Sequence, residues 1–369
     1  MTGRAALRDG LRLAFVCGLS EKKLLQKLLP LTLLPEVAAV DVYRRAPFAP
    51  PPKVRQIPLT PLGRVSAPAG ELEKCARLLA AAPRYDAVIG CFQILHGLWA
   101  HLAGALRGVP AIQLVITDVE WNRRRTLARW PMLRAAGCGV RGEGAVAALR
   151  GLGYAGPVEI IHNPMAVPPR RDPGPGPRRD KPRDILAVGD FAAEKDYPWM
   201  LEVLGRIAAR GVPFTATLCG RFPDAFRRKV REAGLADRVR FPGHLGAAAL
   251  ADAYASSRAL LMTSHTEGLP MAAVEAMAAG LPVAVTAAGE LPWLVRDGRD
   301  GAVVPHGDTE AMTVALETLL TVPGLAASMG ASARGRIEAL APLFTPEAVA
   351  AAWGRLLAGA GLRAGRCKL

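Results

Sequence analysis

The chain has 369 residues, 51% of them apolar and 21% charged. That length suits two domains of about 150 to 200 residues, and the composition excludes a disordered or collagen-like chain. The formal net charge of +15 is uneven: residues 1–170 hold 23 Lys and Arg against 11 Asp and Glu (+12), residues 171–369 hold 24 against 21 (+3).

No run of about 18 uncharged apolar residues occurs, which argues against a membrane-spanning helix. Six scattered cysteines with no C-x-x-C pair fit reduced thiols of a cytoplasmic protein better than a disulfide framework or zinc site. Arg4, Arg8 and Arg12 precede a short apolar run, but Asp9 interrupts the basic stretch and no A-x-A site follows, so 11–17 reads as a buried first strand. Next, Lys22, Lys23 and Lys27 alternate with Leu24, Leu25, Leu28 and Leu29 on an amphipathic helix. Its basic side, with the charge of the first half, points to an anionic membrane surface; a core-facing helix with solvated lysines is the other reading. Aromatics make up only 5% and no recognition-helix or zinc-finger pattern occurs, so nucleic acid is excluded as the partner.

Further strands are predicted at 37–43, 87–91, 111–116 and 158–162. After them, residues 164–184 hold seven prolines and two glycines with no apolar period, the composition of a linker. Beyond it strands are predicted at 184–188, 215–219, 239–241, 259–262 and 283–286, separated by helical spacing such as 197–210 and 224–233. Strands alternating with helices predict two doubly wound, parallel-sheet α/β domains of Rossmann-like type. They are assigned to 1–168 and 185–344, with a linker over 169–184 and a helix over 345–369 returning to the first domain. Ligands of such sheets bind at the carboxyl ends of the strands.

The segment from Ala259 to Val285 reads strand, loop, helix, loop, strand. Pro270 suits the first helical position and Gly280 its C-cap, so the amides of Gly268, Leu269 and Met271 point at the strand edge as an anion site. Glu267 precedes the helix and Glu275 lies within it, among Ala, Met and Val. Two acids beside an anion site make sense if each accepts hydroxyl hydrogen bonds on either side of a diphosphate. Gly189, and Lys195 just before a helix near Pro198, place a cation at the end of another strand.

These elements resemble the family 4 retaining glycosyltransferases of GT-B architecture (glycosyl transferases group 1). The likeness is carried by the E-x7-E pair Glu267 and Glu275, the V-G-D-F-x-x-E-K run ending at Lys195, the Gly243-His244 turn and the Gly289-Glu290 to Gly301 stretch. The resemblance implies transfer of a sugar from a nucleotide diphosphate sugar, UDP-sugar before GDP-sugar, to a glycan, lipid-linked or small-molecule acceptor. It implies Lys195 on the diphosphate, Glu267 with Gly268, Leu269 and Pro270 on the sugar, Glu275 on the ribose, Gly243 and His244 beside the base, and Gly18 near the diphosphate. His96 and Asp118 are candidates near the reacting centre. Asp190 stands where the family usually has arginine, and Arg221, after Gly220, is the candidate to compensate; Thr117-Asp118 stands where His-Asp is common. With no D-x-D sequence, neither metal nor other cofactor is expected. The alternatives carried alongside are a sugar-nucleotide epimerase or phosphorylase on this architecture, and a catalytically weak nucleotide-sugar-binding protein.

Overall fold

The computed structural model describes residues 10–91, 95–116, 119, 126–165 and 184–362. The chain divides into two compact units. One comprises residues 1–165 with the return segment 342–369, the other residues 166–341. The linker proposed at 169–184 lies outside the described residues except for Asp184, which opens a strand.

The first unit holds β1 (Leu11–Val16), β2 (Val37–Tyr43), β3 (Val54–Gln56), β4 (Ala87–Cys91), β5 (Ala111–Leu114), β6 (Gly137–Val140) and β7 (Val158–Ile160). They form one sheet in the order β3-β2-β1-β4-β5-β6-β7, every neighbouring pair parallel. The second unit holds β8 (Asp184–Val188), β9 (Thr215–Cys219), β10 (Val239–Gly243), β11 (Ala259–Met262), β12 (Val283–Thr286) and β13 (Gly301–Val304), in the order β10-β9-β8-β11-β12-β13, also all parallel. Central strands such as β4, β5 and β11 are buried at every residue, as helices on both faces of a parallel sheet require. β3, β6 and β13 were not among the predicted strands.

The strand order reverses at β1/β4 in the first sheet and at β8/β11 in the second. Loops leaving adjacent strands in opposite directions open a crevice there, at the carboxyl edge.

The first helix, Glu21–Leu33, buries Leu24, Leu28 and Leu31 in the core and leaves Leu29 and Leu33 exposed. Lys22 and Lys23 face solvent. Lys27 does not share their side: it falls on the 24–28–31 stripe and is itself buried, because positions three and four apart share a helix face. The return helix Pro346–Gly359 starts at Thr345, whose side chain accepts from the Ala348 amide, with Pro346 in its first turn, where no amide partner is needed. It packs Val349, Trp353, Leu356 and Leu357 into the first unit's core, against β6, β7 and the first helix. Gly137 is where that packing is tightest: a Cβ there would stand 2.9 Å from Leu356 Cδ1.

Candidate functional site at the second sheet's switch point

The loops after β8 and β11 carry the principal candidates. Gly189 leaves β8 with φ +152°, and its carbonyl accepts from Tyr197 Oη at 2.7 Å. Residues 193–195 make a 3-10 turn, and Asp196 follows in the left-handed region (φ 44°), where its side chain accepts from the Trp199 amide and caps the helix Tyr197–Ala209. Holding a non-glycine residue there stores strain of about 1–3 kcal/mol, which the surrounding bonds must overcome. They are present: Thr263 Oγ1 donates to the Lys195 carbonyl (3.0 Å), the His265 amide to the Glu194 carbonyl (3.0 Å), and His306 Nε2 lies 2.9 Å from Asp196 Oδ2. The two loops are thereby stitched together, and Lys195 Nζ meets Glu267 Oε1 at 2.5 Å across 72 residues of sequence. Ser264 Oγ donates to the same oxygen at 2.7 Å.

Behind Glu267 lies the loop after β12. Gly289 has φ 53°, and a Cβ there would collide with the Glu267 and Gly268 carbonyls; the Glu290 amide donates to the Gly268 carbonyl at 3.0 Å. The helix runs Met271–Ala278 with Pro270 as its N-cap, so it starts one residue later than predicted. Among the described residues, no acceptor takes the amides of Gly268, Leu269 or Met271. That is the arrangement of an anion site at a helix start. Met271, Ala272 and Glu275 form the half-buried stripe of an otherwise buried helix. Glu275 Oε2 accepts from Tyr254 Oη at 3.1 Å, and burial, with Glu275's charge next, pushes the Tyr254 phenol far above its ordinary value.

The tips of β8, β9 and β10 gather the remaining residues. A Cβ on Gly220 (φ +143°) would strike the Gly189 carbonyl, and the Gly220 amide donates to the Gly243 carbonyl at 2.9 Å. Arg221 reaches Asp190, with Nη2–Oδ2 at 2.7 Å and its own amide on Oδ1 at 2.9 Å. His244 Nδ1 lies 3.5 Å from Oδ1. The hydrogen bond from Arg221 holds the Asp190 carboxyl below its ordinary value. Arg221 thus answers the carboxylate directly.

Gly18 and His96 belong to the first unit, at its own switch point. A Cβ on Gly18 would stand 2.9 Å from His96 Cε1. His96 Nε2 lies 3.2 Å from Lys74 Nζ and 3.5 Å from Glu71 Oε2, and Lys74 pairs with Glu71 at 2.5 Å. Burial alone would raise the Glu71 carboxyl, yet bonds from His96 and Lys74 hold it at about 2. Thr117 and Asp118 lie outside the described residues. Among the described residues no group of three or more His, Cys, Asp and Glu could hold a metal ion, and no single helix is long and apolar enough to cross a membrane. The five described cysteines are free thiols, with burial pushing Cys17 and Cys219 up to about 11.

Sequence reasoning missed Tyr254, Ser264, Tyr197, Glu71 and Lys74. Tyr254 reaches the site from another helix, Ser264 stands on the same loop as Glu267, Tyr197 opens the helix that follows Lys195, and nothing in their local spacing marks them. Glu71 and Lys74, three apart and so on one face of the helix Ala67–Ala81, carried the one usable signal.

The two parallel sheets with switch-point loops define a GT-B fold. HepE of Anabaena, solved with UDP and glucose, superposes with a TM-score of 0.70 over 94% of this chain and 99% of its own at 18% identity. Sucrose-phosphate synthase of Thermosynechococcus elongatus gives 0.71 over 94% and 98% at 22% identity. Residues 182–322 match the family model described as glycosyl transferases group 1. Two curated relatives are D-inositol 3-phosphate glycosyltransferases. That of Streptomyces scabiei is 38% identical over 31% of this chain, and that of Actinosynnema mirum 29% identical over 69%. The matches span 26% and 66% of those relatives' lengths.

Proposed function

We propose that this chain transfers a sugar from a nucleotide diphosphate sugar to an acceptor with retention at the anomeric carbon and without a divalent metal. UDP-sugar is the first choice of donor and GDP-sugar the second. The observation that carries the reading is the Lys195–Glu267 pair beside the unaccepted amides of Gly268, Leu269 and Met271. A diphosphate entering there takes the Lys195 ammonium and the neutral amides as its hydrogen-bond donors and releases Glu267 to accept from sugar hydroxyls. The leaving diphosphate gains charge as the sugar–phosphate bond breaks, and preorganised donors of this kind stabilise it more than the ground state. Glu275, held by Tyr254, accepts from the ribose. Arg221 neutralises Asp190, which keeps that carboxylate from repelling the phosphates.

HepE binds UDP and glucose, which supports a uridine donor here. The inositol phosphate named in the curated relatives favours a small-molecule acceptor over a glycan. Exposed Lys22 and Lys23 leave room for an anionic membrane surface beside a lipid-linked one.

Calorimetry with UDP and GDP, followed by mass spectrometry of donor turnover over an acceptor panel and NMR of the product anomer, tests the reading. Lys195→Ala and Glu275→Ala should each cut turnover by about 100-fold or more, and EDTA should leave it unchanged. Wild-type turnover in both variants, or an inverted product, ends the proposal in its respective part.

A further inference from the structure

The first unit contains a second polar cluster, made of residues other than Gly18 and His96, that the proposed transfer reaction does not use. Lys27 on the first helix donates to Asn163 Oδ1, just beyond β7. Arg141, the residue after β6, donates from Nη1 to the Ile161 carbonyl at 2.6 Å. His162 lies within electrostatic reach of both, its ring against Phe344 with centroids 5.0 Å apart. Lys27, Arg141 and His162 are 3%, 7% and 6% exposed.

Among the described residues neither Lys27 nor Arg141 pairs with a carboxylate; their partners are an amide oxygen and a backbone carbonyl. Among the described neighbours, the Cys91 side chain at the end of β4 offsets Lys27 and Arg141 in part, Lys23 adds positive charge, and Glu143, beginning the helix after Arg141, is exposed. Burial, then the Arg141 charge, depresses Lys27 well below its ordinary value; burial brings Arg141 to about 10; and burial, with the charges of Arg141 and Lys27, brings His162 to about 4. Buried cations of one sign are costly unless an opposite charge joins them. Asn163, Pro164 and Met165 are only half-buried, so the cluster reaches solvent along that segment.

We propose that Lys27, Arg141, His162 and Asn163 form an oxyanion site in the first unit that takes a phosphoryl group. A guanidinium fork and a flexible ammonium together suit a tetrahedral, doubly charged phosphoryl better than a planar monoanion. All four residues lie in the first unit, and none is among the residues assigned to the donor.

The test is thermal melting of the intact chain in potassium phosphate, in methyl phosphate and in KCl, all at one ionic strength. Phosphate is expected to raise the melting temperature beyond KCl, and the rise should persist in Lys195→Ala, which removes the cation of the donor site. Methyl phosphate matching inorganic phosphate identifies the phosphoryl of a larger molecule as the ligand; inorganic phosphate alone working identifies the free ion. Lys27→Met and Arg141→Met should each weaken phosphate binding about tenfold or more, the effect of losing one charged partner of an oxyanion. In anion-free buffer Lys27→Met should melt at or above the wild-type temperature, since it removes a buried cation. By proton NMR, saturating phosphate should move the His162 titration to higher pH. Should Lys27→Met fail to fold, Arg141→Met and the His162 titration decide. Equal shifts in phosphate and KCl, a phosphate-specific shift kept by the Met variants, or one lost in Lys195→Ala would each overturn the assignment.

Discussion

Replacing Lys195 by Met tests the central pair, because Met keeps most of the side-chain volume and removes the charge. The Lys195 and Glu267 side chains are 22% and 11% exposed, so the pair lies between a surface bridge and a buried one. A charge-assisted hydrogen bond contributes about 1.5–3 kcal/mol, and stranding one partner of a fully buried pair costs about 3–5 kcal/mol. Ser264 remains on Glu267 at 2.7 Å and water reaches the carboxylate in part, so about 2 kcal/mol is the expected loss for Lys195→Met. For a unit spanning residues 166–341, that corresponds to about 4–8 °C in its transition.

Glu267→Gln keeps the Ser264 contact and strands Lys195 less severely, since a long ammonium can swing to water; about 1 kcal/mol is expected there. The double variant leaves no charge unpaired, so it should cost less than the two single losses added, with a coupling of about 1 kcal/mol or more. Calorimetric melting of the four proteins supplies the cycle, and UDP titration of the same samples supplies the functional arm, where Lys195→Met and the double variant bind more weakly than wild type. Strictly additive melting losses would mean that the side chains do not interact in solution. Unchanged UDP affinity in Lys195→Met would separate the pair from the donor.

Tyr254→Phe removes the hydroxyl on Glu275 Oε2 at a cost of about 1 kcal/mol; steady-state kinetics should show donor KM raised more than kcat lowered. Gly289→Ala forces a left-handed alanine into the Glu267 carbonyl, so a loss of about 2 kcal/mol or more should come with loss of UDP binding, both read by melting with and without nucleotide. Asp300 is buried, and although burial alone would raise its carboxyl, bonds from Arg296 and Ser332 hold it below the ordinary value. Its contribution is therefore full above the unfolded pKa near 4 and is lost as pH falls through the lower folded value. Melting from pH 6 to 2.5 should show Asp300→Asn less stable at pH 6 and converging on wild type at the acid end; a constant gap would refute the sign. Asp190→Asn frees Arg221, and the freed guanidinium should tighten UDP binding by a few-fold at low salt, an effect that fades as ionic strength rises.

Most strands were legible because a parallel strand covered on both faces is a short unbroken apolar run. Those missed show where that signal fails. β6 is Gly-Cys-Gly-Val, and its glycines are packing requirements. A Cβ on Gly137 would press on Leu356, and one on Gly139 would meet Leu114 and Ile161. A strand that admits a helix and neighbouring strands so closely surrenders the side chains by which it would be recognised. β3 is a three-residue edge strand, too short to show a period, and β13 opens on a glycine whose Cβ would meet the Val283 backbone.

The candidate site divides along the same line. Lys195, Glu267 and Glu275 were legible because each stands at a fixed offset from a strand end or helix start, and those offsets depend on local chain geometry alone. Tyr254 and Gly289 act on the site from a neighbouring helix and from the loop after β12, so only the strand order brings them there. Lys27 shows the opposite failure. Beside Lys22 and Lys23 it reads as one more solvated lysine, yet the 24–28–31 stripe that identifies the buried face includes position 27. Helical phase outweighed residue type. A lysine on a core stripe marks a place where charge has been taken out of water, and the groups that meet it there, Asn163, Arg141 and His162, are supplied by strand ends more than a hundred residues away.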